Sequence, residues 1–341
     1  MNYRTISERG RKMKKAWPRI SVFLATYNHE EYVRKALDSI LEQEIDEPFQ
    51  ILVADDSSTD NTQHIIREYM KNYPNRIWAV LRKKNIGAKR NIYQLMKECK
   101  SQYIAFLEGD DYWCDKSKLH KQVKFLDENP DYIGCTHRFN VVDRQGVAYQ
   151  DRDFQVQFID GNVYTLDDYE KGKLASHLNT LVYRNIWKER EDGFYSFWYK
   201  FENMAGDATI NLILSIYGKI YCMDEVMSCY RKVIDADSSS FSAMQNLQNK
   251  RDRLFKCQLQ MEQIAEEIFN KKVSFHQRKK DIFASAVFKW YREANLNNFK
   301  VVIKIIFLSR QPLRYICYTI YLLTAKIISN KIYGEDRRIK F

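Results

Sequence analysis

The chain has 341 residues, 45% hydrophobic and 14% aromatic, which is enough apolar surface for a large core and too much for a disordered polymer. Its net charge of +11 would suggest nucleic acid as a partner if it were spread over the fold, but residues 1–19 carry seven Lys/Arg against one acid, residues 299–341 carry nine against two, and the stretch between is nearly neutral. The seven cysteines are odd in number, scattered and never spaced C-x-x-C, a pattern that speaks for reduced thiols in a cytoplasmic protein and against a disulfide framework or zinc site.

Residues 1–17 form a basic segment, and no signal peptide is expected there, because only "ISVFLA" follows before polar residues resume. From Ile20 onward, short β-branched runs alternate with amphipathic windows, the pattern of an α/β domain with a mostly parallel sheet flanked by helices. Strands are expected at 20–24, 50–54, 76–81 and 103–107, and helices at 30–43, 62–71 and 88–97. The first helix should bury Val33, Leu37, Ile40 and Leu41. Such a sheet binds its ligand beyond the carboxyl ends of its strands. The polar clusters fall there: "ATYNH" after the first strand, "DDSSTDNT" after the second, "RKKNIGAKRN" after the third and "EGDDYW" after the fourth. Each alone has a plain reading as turn or helix-cap residues. No G-x-G-x-x-G follows the first strand and no P-loop motif occurs, which argues against dinucleotide and P-loop sites.

The fourth cluster carries the most chemistry. Glu108, Asp110 and Asp111 follow a buried apolar run, and carboxylates crowded at a strand end call for a cation between them unless they are solvated in a wide turn. Further on, "GDATINLILSIYG" reads as an apolar helix with Asp207 at its start, and "VMSCYR" as a strand ending at Arg231.

In this order the motifs "SVFLATYNHEEYVRKALDSILEQ", "ILVADDSSTDNT", "NIGAKRN", "YIAFLEGDDYW" and "GDATINLILSIYGKIYCMDEVMSCYR" resemble family 2 glycosyltransferases of the GT-A fold, over about residues 18–235 of a domain expected to span 18–237. The resemblance implies an inverting, metal-dependent transfer of a sugar from a UDP- or dTDP-sugar to a glycan or lipid-linked acceptor in the synthesis of surface polysaccharide (capsule, O-antigen or exopolysaccharide). It also implies roles for individual residues. Thr26, Tyr27 and Asp55 resemble those that meet the nucleotide base, and Asn85 and Gly87 those of the loop at the ribose and diphosphate. Glu108-Gly109-Asp110 stands in place of the D-x-D motif, with Asp111 beside it. These carboxylates would hold Mg²⁺ or Mn²⁺, and Asp110 is the first choice for direct contact because Glu108 replaces the more usual Asp. Asp207 resembles the general base, with a helix N-cap as its alternative. His177 and Thr180 fall on the acceptor or sugar side, where a satisfied structural histidine is the alternative. Arg231 is read either as reaching the diphosphate or as a surface arginine.

Beyond Asp237 the β signals stop. Residues 238–298 read as a helical extension with an apolar stripe that includes Leu254, Phe255, Leu259 and Ile264. Residues 299–341 read as two basic apolar helices broken at Pro312, too short to span a bilayer and suited to the anionic inner face of the plasma membrane; a helical hairpin or a homodimer contact are the alternatives. Two other functions are weighed. A sugar-nucleotide nucleotidyltransferase would need a glycine-rich loop that "ATYNHEEY" lacks, and a nucleic-acid-binding protein using the basic ends would need basic character in the body of the fold.

Overall fold

The structure, a computed structural model, describes residues 17–151, 158–188, 190, 206–233 and 251–333. The chain divides into two compact units, residues 1–247 and 248–341.

The first unit is built on one mixed sheet. Strands β1 (Ile20–Thr26), β2 (Phe49–Asp55), β3 (Ile77–Leu81) and β4 (Tyr103–Glu108) run parallel, joined by helices α1 (Val33–Leu41), α2 (Thr62–Asn72) and α3 (Ala88–Glu98). The expected elements of this half are present, with boundaries shifted by up to three residues. β2 is buried along its whole length, as a parallel strand covered on both faces must be, and this is why its sequence is a continuous apolar run instead of an alternation. One face packs Ile20, Val22, Leu24, Ile51 and Val53 against Val33, Leu37 and Ile40 of α1. The other carries an aromatic row, with Phe23 edge-on to Phe106 at 5.4 Å and Phe106 stacked on Tyr183 at 5.9 Å.

The sheet then continues in ways that propensity did not reveal. β5 (Tyr112–Trp113) follows the β4 loop, α4 (Lys118–Glu128) leads to β6 (Tyr132–Val142), and the short strands β7 (Ala148–Tyr149), β8 (Val163–Tyr164) and β9 (Val182–Arg184) come before and after α5 (Leu166–Glu170). Helix α6 (Gly206–Tyr217) precedes the long β10 (Lys219–Arg231). The strand order is β3-β2-β1-β4-β9-β6-β10-β5, with β9 antiparallel to both β4 and β6. Because the chain leaves β1 toward β2 and returns on its other side as β4, the order reverses between β1 and β4. A crevice for a ligand opens at such a reversal.

The second unit is helical: α7 (Arg251–Phe269), α8 (His276–Glu293), α9 (Leu296–Leu308) and α10 (Pro312–Tyr333). Its core contains Phe255, Phe283, Val287, Val302, Ile305, Tyr315 and Leu322, so residues from 299 onward share a core with those before them. Pro312 is the first residue of α10, where its missing N–H costs no helical hydrogen bond.

Candidate functional site

The loops after β1 and β2 are tied together by their polar residues. The Asn28 N–H donates to Ser58 Oγ at 2.9 Å, the Thr59 N–H to Asn28 Oδ1 at 2.8 Å, the His29 N–H to Thr62 Oγ1 at 2.8 Å, and the Glu30 N–H to Asp60 Oδ2 at 3.0 Å. The run "SSTDNT" thus supplies partners for the β1 loop, which explains its density of short polar side chains. Thr26 and Asp55 are register partners at the ends of β1 and β2, and both are buried. Asp55 is held from its own loop, accepting from the Ser58 N–H at 3.0 Å, from the Ser58 hydroxyl, and from Gln63 Nε2 at 2.5 Å. Tyr27 is half-buried beside them.

Asp56, a residue that the motif reading passed over, fixes the third loop. Its carboxylate accepts the N–H groups of Ile86 and Gly87, both at 2.8 Å. Gly87 has φ +89°, a left-handed conformation that glycine adopts without strain, and the space where its Cβ would stand is open. Asn85 is exposed and accepts the Gly87 N–H at 3.1 Å. The only sequence signal for Asp56 was its place in the Asp-Asp pair that ends β2.

After β4 the chain makes a close crossing. The Gly109 N–H donates to Ala25 O at 2.8 Å, and a Cβ on Gly109 would lie 2.6 Å from Thr26 Oγ1 and 2.8 Å from His29 Nδ1, so no larger residue fits. Thr26 Oγ1 and His29 Nδ1 are themselves buried without hydrogen-bond partners among the described residues. His29 Nε2 lies 3.8 Å from Asp110 Oδ2.

Glu108, Asp111 and His177 come together beside this crossing, their potential ligand atoms all within 4.8 Å of one another. His177 Nε2 is 3.8 Å from Glu108 Oε2, and His177 Nδ1 is 3.8 Å from Asp111 Oδ2. Among the described residues this is the group able to hold a metal ion; Asp110 lies outside it. Asp111 is fully buried and accepts the Arg231 N–H at 2.8 Å and Asn179 Nδ2 at 2.7 Å. Burial, followed by the charges of Asp110 and Glu108, pushes its carboxyl well above the usual range. The neighbouring acids thus disfavour the charged form of Asp111, and a divalent cation would offset that. The donor set of two carboxylates and an imidazole suits such an ion.

Arg231 is neither a surface residue nor an open arm. Its guanidinium is buried, donating to the carbonyls of Asp110 at 2.9 Å, Asp143 at 2.8 Å and Arg144 at 2.6 Å, and it lies 4.5 Å from the Tyr32 ring. The segment bearing His177 is built from below. Trp113 Nε1 donates to Asn179 O at 2.9 Å, and Gln122 Nε2 to Thr180 O at 2.9 Å, while the buried Lys118 donates to Gln122 at 2.8 Å over the Trp113 ring. Thr180 is buried, its hydroxyl donating to His177 O at 2.6 Å. The His177 ring lies against Tyr230, 4.1 Å between centroids.

Asp207 stands in the first turn of α6; its side chain is outside the described residues. One turn on, Asn211 accepts the Ala175 N–H at 3.1 Å, which brings the start of α6 beside the segment leading to His177.

Residues 21–189 match the family description "Glycosyl transferase family 2", a span that includes the four loops, the acids and His177. The chain belongs to glycosyltransferase family 2. The chain is 42% identical over 127 residues to an uncharacterized protein of Mycobacterium tuberculosis, 37% of each chain. It is 34% identical over 111 residues to the putative teichuronic acid biosynthesis glycosyltransferase TuaG of Bacillus subtilis, 33% of this chain and 43% of that one. The chain thus spans about two fifths of these curated relatives, 37% and 43% of their length. Among solved structures, S. aureus TarS 1–349 in complex with UDP-GlcNAc aligns with a TM-score of 0.56 at 18% identity, covering 84% of this chain and 79% of that one. The mannosyltransferase PcManGT from Pyrobaculum calidifontis, in complex with GDP-Man and Mn²⁺, aligns at 0.50 and 16%, covering 97% and 94%. At these identities the two structures show the shared GT-A fold of the family 2 domain. Asp207 and Arg231 lie past its matched segment.

Proposed function

We propose that this glycosyltransferase moves a sugar, with inversion at the anomeric carbon, from a UDP- or dTDP-sugar to a glycan or lipid-linked acceptor in surface-polysaccharide synthesis. The observation that carries the reading is the grouping of Glu108, Asp111 and His177 where the β4 loop meets the β1 loop. A divalent cation would be held by these three, with Asp110 beside it, and when bound it offsets the negative charge of the departing nucleoside diphosphate. Arg231 positions the acids by pinning the backbone of Asp110 and the carboxylate of Asp111. Thr26, Tyr27 and Asp55 form the base side, with Asp55 pre-oriented by Ser58 and Gln63. Asn85 and the open face of Gly87 border the ribose and diphosphate, on a loop held by Asp56. Asp207 takes the proton of the acceptor hydroxyl as that oxygen bonds to the anomeric carbon and the bond from carbon to the phosphate oxygen breaks. The named partners of the solved relatives, UDP-GlcNAc with TarS and GDP-Man with Mn²⁺ in PcManGT, support a nucleotide-sugar donor and a cation of this class.

The test is a thermal-shift panel of UDP, dTDP, GDP and ADP, each with and without Mn²⁺. A nucleotide at about 100 times its Kd adds roughly 2.7 kcal/mol to stability. The expected result is a Mn²⁺-dependent shift with UDP or dTDP. A shift with GDP alone would overturn the base assignment, and equal shifts with and without metal would overturn the cation.

A further inference from the structure

We infer that the second unit docks on the surface of an anionic lipid bilayer through the outer face of α10 and the end of α9. Helix α10 is apolar on two opposite sides. Tyr315 and Leu322 are buried in the helical core. Leu313, Ile320 and Ile327 recur at sevens on the other side and are 78%, 59% and 43% exposed. Ile316 and Tyr321 flank them, and Phe307 at the end of α9 is 75% exposed. A contiguous set of large exposed apolar side chains of this kind marks a surface that something covers.

Charge decides what covers it. Residues 294–333 contain six Lys/Arg and no Asp or Glu. Lys304 is paired with Asp252, and two copies of this chain meeting through the face would still set the remaining cations of the two segments against each other. An anionic headgroup layer supplies the missing negative charge while its acyl boundary takes up the apolar side chains. Lys300, Arg310 and Arg314 are exposed. No described helix is long and apolar enough to cross a membrane, so the segment lies on the surface instead of spanning it. The inference is independent of the donor-site reading, since its residues belong to the other compact unit.

The experiment is co-sedimentation of the full chain with vesicles of phosphatidylcholine alone and of phosphatidylcholine mixed with phosphatidylglycerol. Binding is expected only to the mixed vesicles and should weaken as salt is added. Leu313→Ser with Ile320→Ser changes exposed positions only and should lower the partition coefficient at least tenfold with an unchanged helical melting curve. Lys300→Gln with Arg310→Gln should lower it about fivefold per charge removed. Failure of the full chain to pellet with phosphatidylglycerol vesicles at low salt would overturn the inference. So would undiminished binding by both double variants. A concentration-dependent dimer in analytical ultracentrifugation that Leu313→Ser with Ile320→Ser abolishes would also overturn it, assigning the face to a second copy.

Discussion

Asp111 is the residue in which stability and chemistry conflict most plainly. It is buried with two other acids at hand, and burial and their charges raise its carboxyl pKa, so the fold penalises its charged form. Asp111→Asn retains size and can meet the Arg231 N–H but not the Asn179 amide as well, so it should melt at a higher temperature than the wild type without metal, less the cost of that lost partner, and lose the Mn²⁺-dependent shift with UDP. Asp110→Asn, outside the group of three, should retain part of that shift; the opposite order, with Asp110 indispensable and Asp111 replaceable, would move the metal to Asp110. Asp207→Asn keeps the size of the side chain and should lower turnover by about 10² to 10⁴ with donor binding intact. A variant that turns over normally would leave Asp207 without a part in the reaction. Gly109 tests the crossing itself. Gly109→Ala drives a methyl to within 2.6 Å of Thr26 Oγ1, so the β1 and β4 loops must part, at a cost of about 1–3 kcal/mol in urea unfolding and with loss of nucleotide binding.

At the scale of elements, the site depends on loops that hold one another. Asp56 ends β2, yet its carboxylate organises the loop after β3, linking two β-α connections that are about thirty residues apart in sequence. Asp56→Ala would leave the Ile86 N–H without its acceptor, at about 1–3 kcal/mol if it stays buried, and the Gly87 N–H with Asn85 Oδ1 alone. Donor affinity should fall with stability, because the Asn85–Gly87 loop loses its fixed position. Isothermal titration with UDP and Mn²⁺ checks this, and unchanged affinity in a destabilised variant would show that the loop is not part of the donor site. The strand periodicities gave the first four strands and three helices clearly, since each is a long apolar run or a helical stripe. β5 and β7–β9 are only two or three residues long, too short to carry a period, and they exist because the neighbouring strands offer them hydrogen-bond partners.

Over the whole molecule, two buried cationic groups make stability depend on pH. Burial pushes the Lys118 ammonium down to about 7, and burial together with Lys118 holds His137 well below 6.5. Each binds more protons when unfolded, so each contribution is full above the unfolded value and is lost as pH falls toward the folded one. For Lys118 that window runs from about 10.5 down to about 7. For His137 it opens below 6.5. Lys118→Met removes the ammonium. It should be more stable than the wild type by about 1–4 kcal/mol at pH 6, less the cost of leaving Gln122 Oε1 without its donor, and the advantage should shrink by pH 9. Urea midpoints at the two pH values measure this, and a difference between variant and wild type that is the same at both would rule out Lys118 as the titrating group.

The sequence by itself determined the alternation of strands and helices, the ends of the first four strands and the crowding of Glu108, Asp110 and Asp111, because these are local consequences of side-chain periodicity and charge. It also located the helical extension and the break at Pro312, since proline stops a helix from within its own backbone. Only the tertiary structure decided which acids share a site. A spacing of three places Glu108 near Asp111 in any tight turn, but His177 is brought to them by β9 pairing with β4 and by Trp113 and Gln122 holding its segment from below. Likewise "CYR" carries no sign that Arg231 turns inward. Its guanidinium is buried because three carbonyls from two loops converge on it, and that convergence is a property of the packed fold, which no local window of residues records.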